Sequence, residues 1–228
     1  MTAMNEKLIT VTGKGTINVV PDVTRVELTL QSLHETYEEA YAQAKKNTDS
    51  LSQIMNKVAL DNKLPKTIRL DIDKKTQNEY DKFGHYTSAK FIGFELDHRV
   101  RIDLGMDNVL LNNIIKLIGK MLKQAEISIG YTVRDPRPSQ LLMLERAVKD
   151  AKEKATIMAQ ACGCTLGLVK DINYSVQELH IFSEARNIHD ADEAMSCIEE
   201  SLDITPQDLS VSDNVTVIWY LTNIIKEA

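Results

Sequence analysis

No stretch of about 18 apolar residues occurs in the chain, so the sequence predicts no transmembrane helix. The start, Met1-Thr-Ala-Met-Asn-Glu-Lys-Leu-Ile9, lacks the apolar core and small-residue cleavage site of a secretory signal. The expectation is a cytoplasmic protein; the alternative is a periplasmic or secreted mature form whose leader has been removed. Cysteine is scarce. Cys162, Cys164 and Cys197 make an odd count in 228 residues, which argues against a disulfide framework and predicts reduced thiols. Basic charge is short as well. A formal net charge of -6 argues against a general nucleic-acid binder, which needs a basic face to neutralise phosphates.

What is present reads as a globular chain. Hydrophobic residues make up 43% and charged residues 26%, close to globular averages, so wholesale disorder is not expected. Residues Leu8 to Ile17 predict a strand, in which Gly13 and Gly15 point to a bulge or a close backbone approach. After the turn at Pro21-Asp22, Val26, Leu28 and Leu30 alternate with Glu27, Thr29 and Gln31, the pattern of a half-buried antiparallel strand. Thr36 and Glu39 have capping-box spacing. Behind them Tyr37, Ala40, Tyr41, Ala44, Leu51, Ile54, Met55 and Val58 form one stripe of a helix running to about Leu60.

Strands near 67–73 and 94–104 flank a turn around Gly84 and predict a long hairpin. A second helix follows Gly105-Met-Asp107, with Leu111, Ile114, Ile115, Ile118, Met121, Leu122 and Ala125 on its stripe. Ile127 to Val133 alternates as a strand. Asp135-Pro136 opens a third helix, with Asp135 expected as the N-cap, a stripe of Leu141, Leu144, Val148, Ala151, Ala155, Met158 and Cys162, and Gly163 as its stop. Leu168 to Val176 and Val215 to Leu221 predict the last two strands. Residues 178–213 between them carry ten acidic side chains against the single Arg186, a net of -9 that leaves the remainder at +3. Such a stretch predicts a mobile or irregular acidic insertion, with a short helix around Asp192–Ser201.

The expected class is therefore α+β: a mainly antiparallel sheet with three main helices packed on it, in the order β-β-α-β-β-α-β-α-β-β. A single domain over 1–228 is expected, with two subdomains of about 1–88 and 89–228 as a variant. Three stretches together resemble the SIMPL-domain family. They are Ile9-Thr-Val-Thr-Gly-Lys-Gly15 with Val20-Pro-Asp-Val-Thr-Arg-Val-Glu-Leu28, then the helix from Tyr37 with its following strand, and then Ile127 to Asp135-Pro136 leading into the alanine-rich run Ala147, Ala151-Lys-Glu-Lys-Ala155 and Ala159-Gln-Ala-Cys-Gly163. The closing strand fits too. The resemblance implies an α+β fold that oligomerises, with links to envelope or oxidative stress and no catalytic residue to carry over. The chain departs from the family in lacking a leader and in its Cys162-Gly-Cys164 pair.

Candidate chemistry is thin. Gly13-Lys14-Gly15-Thr16 resembles part of a phosphate loop, but Leu8 stands where the leading glycine belongs and Gly15 follows the lysine directly, so a strand bulge is expected instead. Cys162 and Cys164 lack the spacing and partners of a zinc site, and packing is the expected role of Cys162. The histidines, His34, His85, His98, His180 and His189, are scattered; His98 is expected to be a satisfied core or interface residue, while His180 and His189, beside acidic residues, offer a divalent-metal or pH-sensing site as an alternative. Glu95, Asp97 and Asp103 share a strand face with Arg99 and Arg101, which predicts a solvated face or subunit interface rather than an acid–base pair. No catalytic residue, cofactor or metal ligand is assigned. The expectation is a non-enzymatic, homo-oligomeric scaffold or binding protein that meets its neighbours through strand or hairpin contacts, the long 67–104 hairpin among them. A metal- or ligand-dependent enzyme or binder near residues 178–213 is the alternative, and a protein partner docked by that acidic segment a further one.

Overall fold

Antiparallel pairing decides the architecture, and the chain divides its strands between two sheets. The computed structural model describes residues 7–61, 65–174, 181–188 and 206–223. In chain order the elements are β1 (Leu8–Val19), β2 (Val23–His34), α1 (Tyr37–Lys57), β3 (Lys66–Tyr80), β4 (Tyr86–Leu104), α2 (Asn108–Met121), β5 (Ala125–Thr132), α3 (Arg137–Ala161), β6 (Cys164–Asn173), β7 (Phe182–Ile188) and β8 (Leu209–Asn223). The α+β class, the antiparallel pairing and the three helices agree with the sequence reading. The differences are two. Two sheets form, ordered β1-β8-β6 and β3-β4-β2-β5-β7, and β7 is an additional strand. That strand runs through the first part of the acidic stretch expected to be irregular, because its backbone pairs with β5. The helix expected at Asp192–Ser201 lies outside the described residues.

The chain forms two compact units. One holds β1, α3, β6 and β8; the other holds β2, α1, β3, β4, α2, β5 and β7. Their segments are interleaved along the sequence, so no single cut separates them.

In the first unit β8 is the central strand. Its register with β1 is unbroken from Leu8↔Tyr220 to Val19↔Leu209, so the glycines of β1 mark no bulge. They mark a close approach. A Cβ on Gly13 would fall 2.0 Å from the carbonyl oxygen of Ala147, and one on Gly15 would fall 1.9 Å from that of Met143. Helix α3 therefore rests directly on the β1 backbone. Its buried positions are Met143, Ala147, Ala151, Ala155 and Ala159, four apart along one line. The expected stripe was turned about the helix axis. Leu141 and Met158 are exposed, because the face of α3 that rests on β1 is the line of Met143 and the four alanines. Side chains of α3 also reach the β1 backbone: Asp150 accepts from the Lys14 N–H at 2.7 Å and Arg146 donates to the Thr16 carbonyl at 2.8 Å. Pro136 is the N-cap of α3, so Asp135 lies one residue earlier than expected, yet it still accepts from the Arg137 N–H at 3.0 Å. Gly163 follows α3 with φ of 70°, as its stop requires.

In the second unit one face of the five-stranded sheet packs against α1 and α2. Val26, Leu28, Val100, Ile102, Ile127 and Ile129 from the strands meet Leu51, Ile54 and Met55 of α1 and Leu111, Ile114, Ile115 and Ile118 of α2. The capping box is complete: Thr36 accepts from the Glu39 N–H and Glu39 accepts from the Thr36 N–H, both at 3.3 Å. Such a cap stabilises a helix by about 1 kcal/mol. Helix α1 ends before Leu60 because Ala59 turns left-handed (φ 56°), with Leu60 N–H donating to Met55 O and Ala59 N–H to Asn56 O. That double bond pattern is a Schellman closure.

The close approach of α3 makes a direct prediction. Gly15→Val places branched bulk against the helix backbone and is expected to lower stability by about 3 kcal/mol. Gly105, with nothing within 4 Å of an added Cβ, is the control; Gly105→Ala is expected to stay within about 0.5 kcal/mol of the parent. Urea unfolding midpoints read both, and equal midpoints for the two variants would contradict the packing.

Candidate functional site

Strand β2 is shorter than the hairpin beside it, and this difference builds the candidate site. The β2–β4 pairing stops at His34↔Phe94, whereas β3 and β4 go on pairing from Lys75↔Gly93 to Tyr80↔Tyr86. Residues 75–93 are thus a two-stranded ribbon, with no third strand among the described residues. Gly93 stands where the ribbon leaves the sheet. Its φ is 143°, and a Cβ there would lie 2.3 Å from the His34 carbonyl oxygen. The register shifts between Lys75 and Thr76, a bulge that re-aims the ribbon. At its tip the Asp81 carboxylate accepts the N–H groups of Phe83 and His85 at 2.8 and 3.0 Å. The backbone bond from His85, followed by that from Phe83, holds this carboxyl below the usual range despite some desolvation.

The ribbon concentrates a scarce resource. Three of the four phenylalanines fall between residues 83 and 94, together with Tyr80 and Tyr86. Phe83 at the tip is 74% exposed, and Tyr80, Tyr86 and Phe91 are also exposed. They are grouped in pairs: Tyr80 meets Tyr86 edge-on at 6.3 Å, Phe91 meets Phe94 at 5.4 Å, and Phe94 meets Tyr37 of α1 at 6.0 Å. Lys82 sits 5.2 Å from the Phe83 ring. Aromatic clusters of this kind are typical of interface anchors, since they offer area at low entropic cost. The sequence reading named the hairpin but not these aromatics, whose clustering in a chain with 5% aromatic residues was the available signal.

The charged face of the sheet is committed to ion pairs. Arg25 grips Asp103 through two bonds of 2.7 and 3.0 Å, Arg101 meets Glu27 at 3.0 Å, and Lys75 meets Glu95 at 2.8 Å. Asp97 is shared between Arg99 at 3.2 Å and Arg69 at 3.5 Å, and Arg69 also pairs with Asp71. The bond to Asp103 raises the Arg25 pKa over the opposing effect of burial. Glu95, Asp97 and Asp103 are thus spread along a solvated ladder and do not face one another across a cleft. Each exposed pair contributes about 0.2–1 kcal/mol.

The remaining sequence candidates separate. Lys14 lies inside β1, so the Gly-Lys-Gly run forms no phosphate loop. Cys162 is not packed, as had been expected, but exposed at the C-cap of α3, and Cys164 is partly exposed. His34 bonds Ser32 at 2.8 Å, and exposed His85 pairs with Asp81 at 3.2 Å. His98 is buried, at 1% exposure, yet only half satisfied: Nε2 meets Thr67 Oγ1 at 3.3 Å and Nδ1 has no partner. It borders a small cavity of about 50 Å³ with Thr48, Ser52 and Thr67. His180, His189 and Cys197 lie outside the described residues. Among the described residues no group of three or more His, Cys, Asp or Glu side chains converges, and no helix is long and apolar enough to cross a membrane.

Two grooves complete the surface. In the first unit an apolar groove of about 550 Å³ runs between α3 and β6 over Trp219, because α3 covers β1 and β8 and leaves Val169 and Ile172 open. In the second unit a polar groove of about 370 Å³ lies between α1, the end of β2 and the end of α2. With this geometry in place, the comparisons are brief. The family model described as SIMPL, a protein of unknown function (DUF541), matches residues 9–219. No curated protein matches the chain.

His98 sets a pH dependence. Burial disfavours its charged form and, outweighing the pull of Asp97, lowers its pKa from the ordinary 6.5. The unfolded chain then binds the extra proton first, so this contribution to stability is full above that value and is lost as pH falls through it. Urea midpoints at about pH 7.5 and about pH 5.5 are expected to fall further for the parent than for His98→Phe. An equal fall in both would refute the role.

Proposed function

The chain belongs to the SIMPL family, and on that footing we propose that it is a non-catalytic protein that self-associates through the β3–β4 ribbon and serves as a scaffold or binding module. The observation that carries this reading is the ribbon itself. An isolated two-stranded hairpin is marginally stable in water, so 19 residues of it with exposed aromatics call for a covering surface. A second copy supplies one of matching chemistry. Among the described residues the β3 edge has no strand beyond it, and the ribbon and its base carry both signs of charge, including Lys75, Lys82 and Lys90 with Glu79 and Asp81. The non-catalytic part of the reading rests on the carboxylate ladder, whose members are engaged with guanidinium and ammonium groups instead of sharing a pocket.

Mass photometry and light scattering at micromolar concentration test the proposal. The expected result is a mass at least twice the chain's 25.7 kDa, and a return to that chain mass in Tyr80→Ser/Phe83→Ser/Tyr86→Ser with an unchanged circular dichroism spectrum. Aromatic anchors at interfaces each contribute about 2 kcal/mol or more, so the triple variant should weaken association at least thousandfold, roughly. A sharp monomer for the parent protein would sink the proposal.

A further inference from the structure

The polar groove of the second unit carries a recognisable chemistry. Its lining includes Lys46 from α1, Lys120 from the last turn of α2, and Lys123 from the turn that follows, with no carboxylate. None of the three lysines forms an ion pair among the described residues. Lys120 is well placed to complement the carbonyl end of α2, but Lys46 stands in the middle of its helix and has no such role. The groove is also built from below. Asn47 is buried, at 4% exposure, and lines it; its Oδ1 accepts from Gln43 Nε2 at 2.9 Å, which fixes the orientation of the amide in the groove wall.

We propose that this groove binds a small phosphate-bearing anion, held by Lys46, Lys120 and Lys123 and oriented by the Asn47 amide. Lysine is a point-charge donor suited to phosphate oxygens, whereas planar carboxylates are better met by arginine, and the groove has none. The side-chain amides of Gln31, Gln43 and Gln124 add donors and acceptors for hydroxyl or bridging oxygens. The volume lies near the lower end of ligand pockets, about 300–1,000 Å³, which favours a small ligand over a dinucleotide. The proposal does not depend on self-association.

Isothermal titration calorimetry of the full chain, at constant ionic strength, tests it with pyrophosphate and with ribose 5-phosphate. Saturable one-to-one binding of at least one probe is expected. It should weaken about tenfold or more in Lys46→Gln/Lys120→Gln/Lys123→Gln. Lys149→Gln/Lys152→Gln/Lys154→Gln removes the same charge from the exposed side of α3 and should bind as the parent does. Preference for pyrophosphate identifies an inorganic ligand, and preference for the sugar phosphate an ester. Absence of saturable binding by either probe up to about 10 mM, or equal loss in both triple variants, would overturn the proposal. All six lysines are at the surface or near it, so the variants are expected to fold, and circular dichroism checks this.

Discussion

A strand that outlasts its neighbour leaves backbone and side chains without a partner, and this chain has such a mismatch where β2 ends at His34. From Phe94 onward the β4 strand is flanked on both sides and contributes Leu96, Val100 and Ile102 to buried clusters. Before it, the same strand has only β3 beside it among the described residues and buries nothing between Tyr86 and Phe91. The transition is abrupt because Gly93 and the adjoining bulge let the ribbon depart at the point where the sheet ends. Aromatic side chains gather beyond that point instead of in the core. The interior meanwhile is almost wholly aliphatic, relying on leucine, isoleucine, valine and alanine.

The two units solve the same packing problem with different materials. In the second, large aliphatic side chains of two helices fill the space over the sheet. In the first, glycine on β1 and alanine on α3 bring backbone against backbone, and Trp219 with Val215 and Val217 completes a small cluster. Close approach gains dispersion contacts and leaves little room for side-chain variation. It also leaves β6 only partly covered, which is the origin of the apolar groove beside α3.

Elements with a local signature were legible in the sequence. The capping box of α1, the period-two alternation of β2 and β4, the Asp107 start of α2, and Gly163 after α3 all carry their physical cause within a few residues. What could not be read depends on distant partners. The α3 stripe misled because hydrophobicity ranks leucine above alanine, whereas the glycines of β1, more than a hundred residues away, select the alanines. Cys162 was placed on that misjudged stripe and is exposed for the same reason. The left-handed Ala59 hides because glycine, not alanine, usually signals such a closure. Strand β7 draws its pairing from β5 across some fifty residues, and acidic composition masked it. The polar groove combines α1 and α2 residues far apart in sequence, so three ordinary surface lysines gave no local sign of converging.

If the ribbon is a contact surface between copies, its backbone amides must be less accessible in the assembled protein than in the isolated chain. Hydrogen–deuterium exchange over residues 75–93, followed across a hundredfold dilution series, measures this directly. The account predicts slow exchange at high concentration that becomes fast on dilution, while β2 and β5 stay protected throughout. Fast exchange of the ribbon at every concentration, against a constantly protected sheet, would contradict it.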